Sequence, residues 1–339
     1  MGLLENLFGY VMRGAYWLTH NYIVSLLLFA LAFQLVLFPL GWKQQKNMVK
    51  QAMLRPKEMA IRRKYAGRND QVTMRKVQNE IMELYQREGY SQFAGCLPML
   101  VQMIIIFPLY WVVVRPLQYC GGLSYSTCYT LAQQLGLDFN KGQPASSSFQ
   151  VEVARHISNG WRPDASIVDS DGVNVLEAVN NLVDRFGDAP SATLFGFDLG
   201  VTPFNALGTS AWWLILIPII NLGLMYVSQF VSKKLNYQNT QAEMANGGSM
   251  KIMMLVLPLM TFFATATFAT AIGIYWIFRT LLSMLQQFIL FKAMPYPKFT
   301  EEDYKQAEKE YKKGINTSSS YSYDPNKPYR SLHHIDDDE

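Results

Sequence analysis

The sequence is short of charge, of histidine and of cysteine, and each shortage removes a class of function. Of 339 residues only 17% are charged while 50% are hydrophobic, against about a quarter charged in soluble domains. That balance points to a bilayer, and a mean hydropathy of only +0.03 shows that apolar runs alternate with long polar stretches. The net charge of +4 is too small to imply a specific nucleic-acid partner, so the distribution of charge matters more than its sum. There are four histidines, and His333-His334 sits in a polar tail where a solvated pair is expected; neither metal nor other cofactor is implied. No phosphate-binding glycine loop, zinc-protease helix or serine elbow occurs, which reads as a protein that is not an enzyme. Of three cysteines, Cys96 lies in an apolar run, whereas Cys120 and Cys128 share a polar loop and form a candidate disulfide if that loop is extracytoplasmic. Residues 1–20 lack the basic start, short apolar core and cleavage site of a signal peptide, and nothing there is expected to be removed.

What the sequence does have is long apolar runs. About 20 such residues cross a hydrocarbon core of about 30 Å, so 21–42, 93–115 and 207–231 are expected spans. The apolar stretch 252–291 is too long for one crossing and reads as a short fourth span, 251–267, turning tightly into a fifth, 269–292. The expected fold class is an all-α integral membrane protein with five transmembrane helices.

Charge then orients the chain. Twelve basic residues against five acidic ones lie between Lys43 and Glu88, but five against nine from Arg115 to Asp198. The excess of lysine and arginine marks 43–92 as cytoplasmic. The connection 232–250, with Lys233 and Lys234 before Lys251, and the tail 293–339 fall on the same side, leaving 116–206 and the N-terminus outside. Residues 1–20 place Leu3, Leu4, Leu7, Tyr10, Val11, Trp17 and Leu18 at roughly helical spacing, as in a helix lying in the membrane interface.

Gln44–Tyr65 and Gln71–Glu88 lack glycine and read as the arms of a helical hairpin around 67–70, with a kink expected at Pro56. Met48, Met53, Met59, Met74 and Met82 form either an adaptable surface for hydrophobic partners or the packing between the arms. The outer segment 116–206 is expected to be a partly ordered insert with one helix at 173–186, and the tail beyond Tyr296 mostly disordered.

Isolated polar groups at membrane depth mark a working surface: Gln34 in the first span, Gln102 in the second, Asn221 in the third, and Arg279 with Thr280 and Ser283 in the fifth. An arginine at the centre of a lone helix costs about 2.5–3.5 kcal/mol, and no Asp or Glu lies in any expected span. Arg279 therefore faces a water-filled groove or snorkels along its stem to an interface.

Several motifs occur in a telling order. Leu35-Val36-Leu37-Phe38-Pro39-Leu40 leads into the basic hairpin, and Ala94-Gly95-Cys96-Leu97-Pro98-Met99-Leu100-Val101-Gln102 follows it. Phe195-Gly196-Phe197-Asp198-Leu199 precedes the third span. Lys251-Ile252-Met253-Met254, Pro258, Tyr275-Trp276 and Ser283-Met284-Leu285-Gln286-Gln287 fill the last two. In these the chain resembles the YidC/Oxa/Alb membrane-protein insertases in their short five-span form.

The resemblance implies a hydrophilic groove, open to cytoplasm and lipid, that takes polar parts of a nascent membrane protein while its hydrophobic segment enters the bilayer without nucleotide hydrolysis. It places Gln34, Gln102, Asn221, Trp276, Arg279, Thr280 and Ser283 at the groove and the hairpin methionines at early substrate contact. Implied partners are nascent membrane proteins, the lipid bilayer, the ribosome, the signal recognition particle receptor and the Sec translocon, at a bacterial plasma membrane. The chain departs from the family pattern at Gln34, where an arginine is usual, and at Ala269, Thr280 and Ser91-Gln92, so Arg279 is expected to supply the groove's charge. Other readings are a transporter or channel, against which the absence of an internal repeat speaks, and a membrane scaffold or assembly chaperone without insertion activity.

Overall fold

Apolar sequence leaves a backbone no partner but itself, and segments of this kind satisfy their amides and carbonyls internally as helix. The computed structural model describes residues 2–68, 70–90, 97–140, 142–144, 146–191, 193–194, 197–235, 248–297 and 299–312. Cys96, the Ser91-Gln92 step, the side chains of Gln102, Lys233 and Lys234, His333-His334 and the tail from 313 lie outside the described residues. The chain forms two compact units, one of 1–36, 101–231 and 246–284, the other of 37–100, 232–245 and 285–339.

The first unit opens with α1, Gly2–Thr19, which buries Phe8, Met12 and Tyr16 and exposes Leu7, Tyr10, Trp17 and Leu18. Helix α2, Tyr22–Met53, begins on Asn21, whose side-chain oxygen accepts from the amides of Ile23 and Val24 at 3.0 and 3.1 Å. Among the described residues three helical stretches are long and apolar enough to cross a membrane: Tyr22–Met53, Trp212–Ser232 and Thr270–Ala293.

The segment after α3, Arg55–Lys64, α4, Gln71–Arg87, and α5, Leu97–Val114, is more ordered than expected. It holds α6, Pro116–Tyr119, α7, Tyr125–Gln134, α8, Phe149–Ser158, α9, Val175–Phe186, and α10, Pro203–Ala206. Two antiparallel two-residue ladders join them, β1, Phe139–Asn140, with β2, Gln143–Pro144, and β3, Thr193–Leu194, with β4, Phe197–Asp198. Leu117, Leu131, Val151, Ile157, Val179 and Leu182 of this insert are buried in one continuous core with Met12 of α1, Leu26 of α2 and Leu109 of α5. Its expected helix at 173–186 is α9, with Asn174 accepting from the Glu177 amide at 3.0 Å and Gly187 closing it at φ 77°, the left-handed conformation glycine tolerates.

The candidate disulfide is not formed. Cys120, at the end of α6, and Cys128, inside α7, are free thiols fully buried in that core. Each fills space as a small hydrophobe, and burial pushes both thiol pKa values up.

After a short 3₁₀ turn, Trp212–Ile215, come α11, Leu216–Leu235, α12, Gly248–Thr267, and α13, Thr270–Ala293. The amide of Thr270 donates to the Val201 carbonyl at 3.1 Å and that of Ala271 to the Leu199 carbonyl at 2.9 Å. The first turn of α13 thus finds acceptors in the insert for amides that a helix leaves unpaired.

In the second unit, α2 ends at Met53 and α3 starts after Leu54, with Pro56 in its first turn. The expected kinked arm at 44–65 is therefore two helices, and Pro56 sits where its missing N–H costs nothing. Helix α4 is capped by Asp70, which accepts from the Thr73 amide at 2.9 Å. Leu54, Ile61, Ile81, Tyr85 and Tyr90 form the hairpin core. Buried Glu58 accepts from Arg62 at 2.8 and 3.0 Å and from the Tyr85 hydroxyl at 3.0 Å. Part of the tail expected to be disordered is a helix, α14, Glu301–Lys312. The Thr300 amide donates to Asp303 at 2.7 Å and the Asp303 amide to the Thr300 hydroxyl at 3.4 Å, a reciprocal cap.

Candidate functional site

Helix α13 is buried on all sides through its first turn and a half and half-buried from Trp276 to Thr280. Ala271, Ile272 and Tyr275 are buried, and the ring of Tyr275 lies 6.1 Å from that of Phe29 on α2. The Tyr22 hydroxyl donates to the carbonyl of Val113, near the end of α5, at 2.5 Å, and Tyr110 of α5 stacks edge-on against Phe268, just before α13, at 5.5 Å. From the Phe29–Tyr275 contact, Gln34 and Arg279 each lie a little over one turn further along, about 6–7.5 Å at 1.5 Å per residue. They share a depth.

Trp276, Arg279, Thr280 and Ser283 follow at the spacing that puts residues on one helix side. Trp276, Arg279 and Thr280 are half-buried and Ser283 is exposed. Among the described residues, Arg279, Thr280 and Ser283 make no side-chain hydrogen bond or ion pair. Gln34 is half-buried on its own helix. The backbone of Gln102 lies in α5.

Asn221 behaves differently from the other candidates. It is buried, and its side-chain nitrogen donates to the carbonyl of Gly273 at 2.9 Å and to that of Ile217 at 3.2 Å. It staples α11 to α13 and leaves no donor for a substrate along that line. The approach needs Gly273, because a Cβ there would stand 2.7 Å from Ile217 Cγ2. Sequence reasoning picked out Asn221 as polar and at depth, but its partner is a carbonyl 52 residues away.

The methionines divide too. Met48 and Met53 pack beside Val49, Leu290, Met294 and Tyr296, whereas Met74 and Met82 of α4 are exposed and Met59 is half-buried. No single methionine surface runs along the hairpin.

Electrostatics concentrates at one edge of the hairpin. Burial pushes the Glu80 carboxyl up, but hydrogen bonds from Tyr311, Tyr65 and Lys64 outweigh it and hold its pKa below the ordinary value. The hydroxyl of Tyr311, then those of Tyr65 and the Glu80 carboxylate, push the Lys64 ammonium pKa up. Elsewhere, a cavity of about 250 Å³ between the insert and the start of α13 is lined by Tyr110, Ser148, Glu152, Asp198, Asn205 and Phe268. Burial raises the pKa of Asp198 there, offset in part by the Gly200 amide and by Arg155 at 3.5 Å.

A family model described as 60Kd inner membrane protein matches residues 14–298, which takes in every polar residue of α13 named above. The chain belongs to that family, the YidC/Oxa/Alb proteins. Among its relatives is a membrane protein insertase YidC of Granulibacter bethesdensis, 28% identical over 292 residues, covering 86% of this chain and 38% of that one. One of Treponema denticola is 27% identical over 291 residues, with 86% and 38% covered. A membrane protein insertase YidC 2 of Bacillus anthracis is 38% identical over 95 residues, 28% of this chain and 37% of the relative. The chain spans about 38% of the length of the first of these relatives. In the YidC/Oxa/Alb frame, the family match ends at 298, so α14 lies beyond it.

Proposed function

We propose that the chain inserts nascent hydrophobic segments into the bacterial plasma membrane, receiving their polar parts in a groove at the level of Gln34 and Arg279. The observation that carries this is Arg279. It is a cation without an ion-pair partner among the described residues, on the side of an apolar helix that also bears Trp276, Thr280 and Ser283. It lies at the depth of Gln34, in a chain whose family match covers 14–298. A lone charge at that depth is costly unless water or a ligand meets it. Hydrating part of the crossing lowers the cost of moving a short polar tail. Helices α5 and α12 supply two further spans to make five, with the N-terminus outside, α1 in the outer interface and the hairpin and tail in the cytoplasm, as the positive-inside bias requires. The exposed Met74 and Met82 are the hairpin positions left for substrate contact. Binding and release of the polar tail need no nucleotide. Nascent chains come to the groove from the ribosome, with the signal recognition particle receptor and the Sec translocon as the partners that its family implies.

The test is insertion of a single-span protein with an acidic outer tail into liposomes containing the purified chain, read as protection of the tail from protease. Arg279→Ala should lower insertion by about tenfold or more, since hydrogen bonds to a charged group contribute about 1.5–3 kcal/mol, and Arg279→Lys should retain part of it. Insertion equal in the natural chain and Arg279→Ala would discard Arg279 as the groove charge. No insertion above empty liposomes would discard the insertase.

A further inference from the structure

The chain passes from α2 into the hairpin through a joint. Helix α2 ends at Met53 and α3 begins at Arg55, so Leu54 alone connects them. With Pro56 in the first turn of α3, the hydrogen-bond ladder of α2 cannot run on unbroken, and helices bend where a proline interrupts them in this way. Across the joint Lys50 donates to the Gly89 carbonyl at 3.1 Å, but an exposed bond on a flexible four-carbon stem sets an angle poorly.

A second route leads to the hairpin from the end of α13. Met294 and Tyr296 are buried with Val49 and Leu290, where Gln45 donates to the Met294 carbonyl at 3.2 Å and the Tyr296 hydroxyl donates to the Gln45 side-chain oxygen at 3.5 Å. The start of the tail is thus pinned to α2 about two turns before the joint. Helix α14 then lies on α3 in the most extensive helix pairing among the described residues, with Asp303 and Ala307 buried and the ring of Tyr311 packed on the hairpin core. Arg63 of α3 meets Glu308 at 3.5 Å, and the Tyr311 hydroxyl donates to Glu80 of α4 at 2.6 Å. The tail therefore grips the chain on both sides of Leu54 and closes a ring of contacts around the joint.

We propose that α14 is a strap across the joint at Leu54, which sets the angle of the hairpin to α2 and holds it there. The hairpin has packing of its own, since Leu54, Ile61, Ile81, Tyr85 and Tyr90 form its buried cluster. What the strap adds is direction. The side it directs is the outer one of α4, where Val72, Met74 and Met82 are exposed, so a partner meets those side chains at one fixed angle. Helix α14 lies beyond the family match, which ends at 298, and the fixing is therefore a property of this chain's own tail. The inference goes beyond the insertion reading and stands without it, because it concerns orientation alone.

The experiment places spin labels on Lys46→Cys in α2 and Ala66→Cys just past α3, in protein that also carries Cys96→Ser, and reads the hairpin angle as a distance by pulsed electron resonance. Ala66 stands about 18 Å from Leu54 at 1.5 Å per residue, so a swing of about 30° at the joint carries it through about 9 Å. Four forms are compared: the full chain, a chain ending at Lys312, a chain ending at Pro297, and the full chain with Ala307→Arg and Tyr311→Ala. The first two should give one narrow distance, and the last two a distribution broadened or displaced on that 9 Å scale. Hydrogen exchange of the α4 amides should stay equally slow in all four. A narrow, unmoved distance in either of the last two forms overturns the proposal. So does a broad distance in the chain ending at Lys312, which would put the constraint beyond α14. Free exchange of α4 in the chain ending at Pro297 overturns it as well, since α14 would then be needed to fold the hairpin and not to direct it.

Discussion

Gly273 and Asn221 show how one contact sets what a helix pair can tolerate. Placing a Cβ 2.7 Å from Ile217 Cγ2 forces α11 and α13 apart, and overpacking of this kind costs about 1–3 kcal/mol. Gly273→Val should therefore lower the midpoint of thermal unfolding in detergent. Asn221→Ala, which removes the side-chain hydrogen bond between α11 and α13, should lower it too, by the effect of a bond contributing about 0.5–1.5 kcal/mol; an unchanged midpoint for both would show the staple to be idle. At the same scale, Cys120 and Cys128 should resist iodoacetamide in the native protein and react fully after denaturation without reductant, as mass spectrometry would read. The cysteine pair illustrates what sequence conceals: eight positions apart suggested a bond, but the two lie at different helical positions and each faces apolar neighbours. Arg279 was legible because an arginine amid apolar residues is conspicuous. Asn221 was legible as an oddity, yet its partner, a backbone carbonyl far along the chain, carries no side-chain signal.

Among the elements, α9 could be read in advance because all its instructions are local: valines and leucines at helical spacing, Asn174 to start it and Gly187 to end it. Helix α14 was missed because charge dominated the composition of the tail, although Thr300 and Asp303 form a cap at the spacing that announces a helix. The insert was underestimated for a related reason, since the residues it buries, such as Leu117, Val151 and Val179, come from separate helices and join a core shared with α1, α2 and α5. The clasp on α14 carries its own pH dependence. Glu80 and Glu308 both have pKa values held below the ordinary 4.5, Glu80 by its three donors against the upward push of burial and Glu308 by Lys312 and then Arg63. A carboxylate of depressed pKa contributes stability above its unfolded value and loses it as pH falls through its native value. Amides of α14 should therefore be protected from exchange near neutrality and open as pH falls below about 4.5; protection unchanged by acid would assign the contact to packing alone.

At the level of the whole molecule, orientation makes a direct demand. A single cysteine introduced at Ser147 should react with an impermeant maleimide added outside intact cells, and one at Ala66 only after the membrane is opened; the reverse pattern would invert the reading from charge. Three membrane-length helices are present among the described residues, and the sequence announced each through a long, mostly apolar run, whereas the paired faces of α2 and α13 depend on the Phe29–Tyr275 contact that no run reveals. One feature at this scale bears on time. The carbonyls of Leu199 and Val201 leave the ribosome about seventy residues before the amides of Thr270 and Ala271 that they accept. Until the start of α13 is made, those carbonyls must be kept by water, and a chain stalled in synthesis before residue 270 has an insert with nothing to hold. Their closure is a late event in biogenesis, a built-in mark that α13 has arrived.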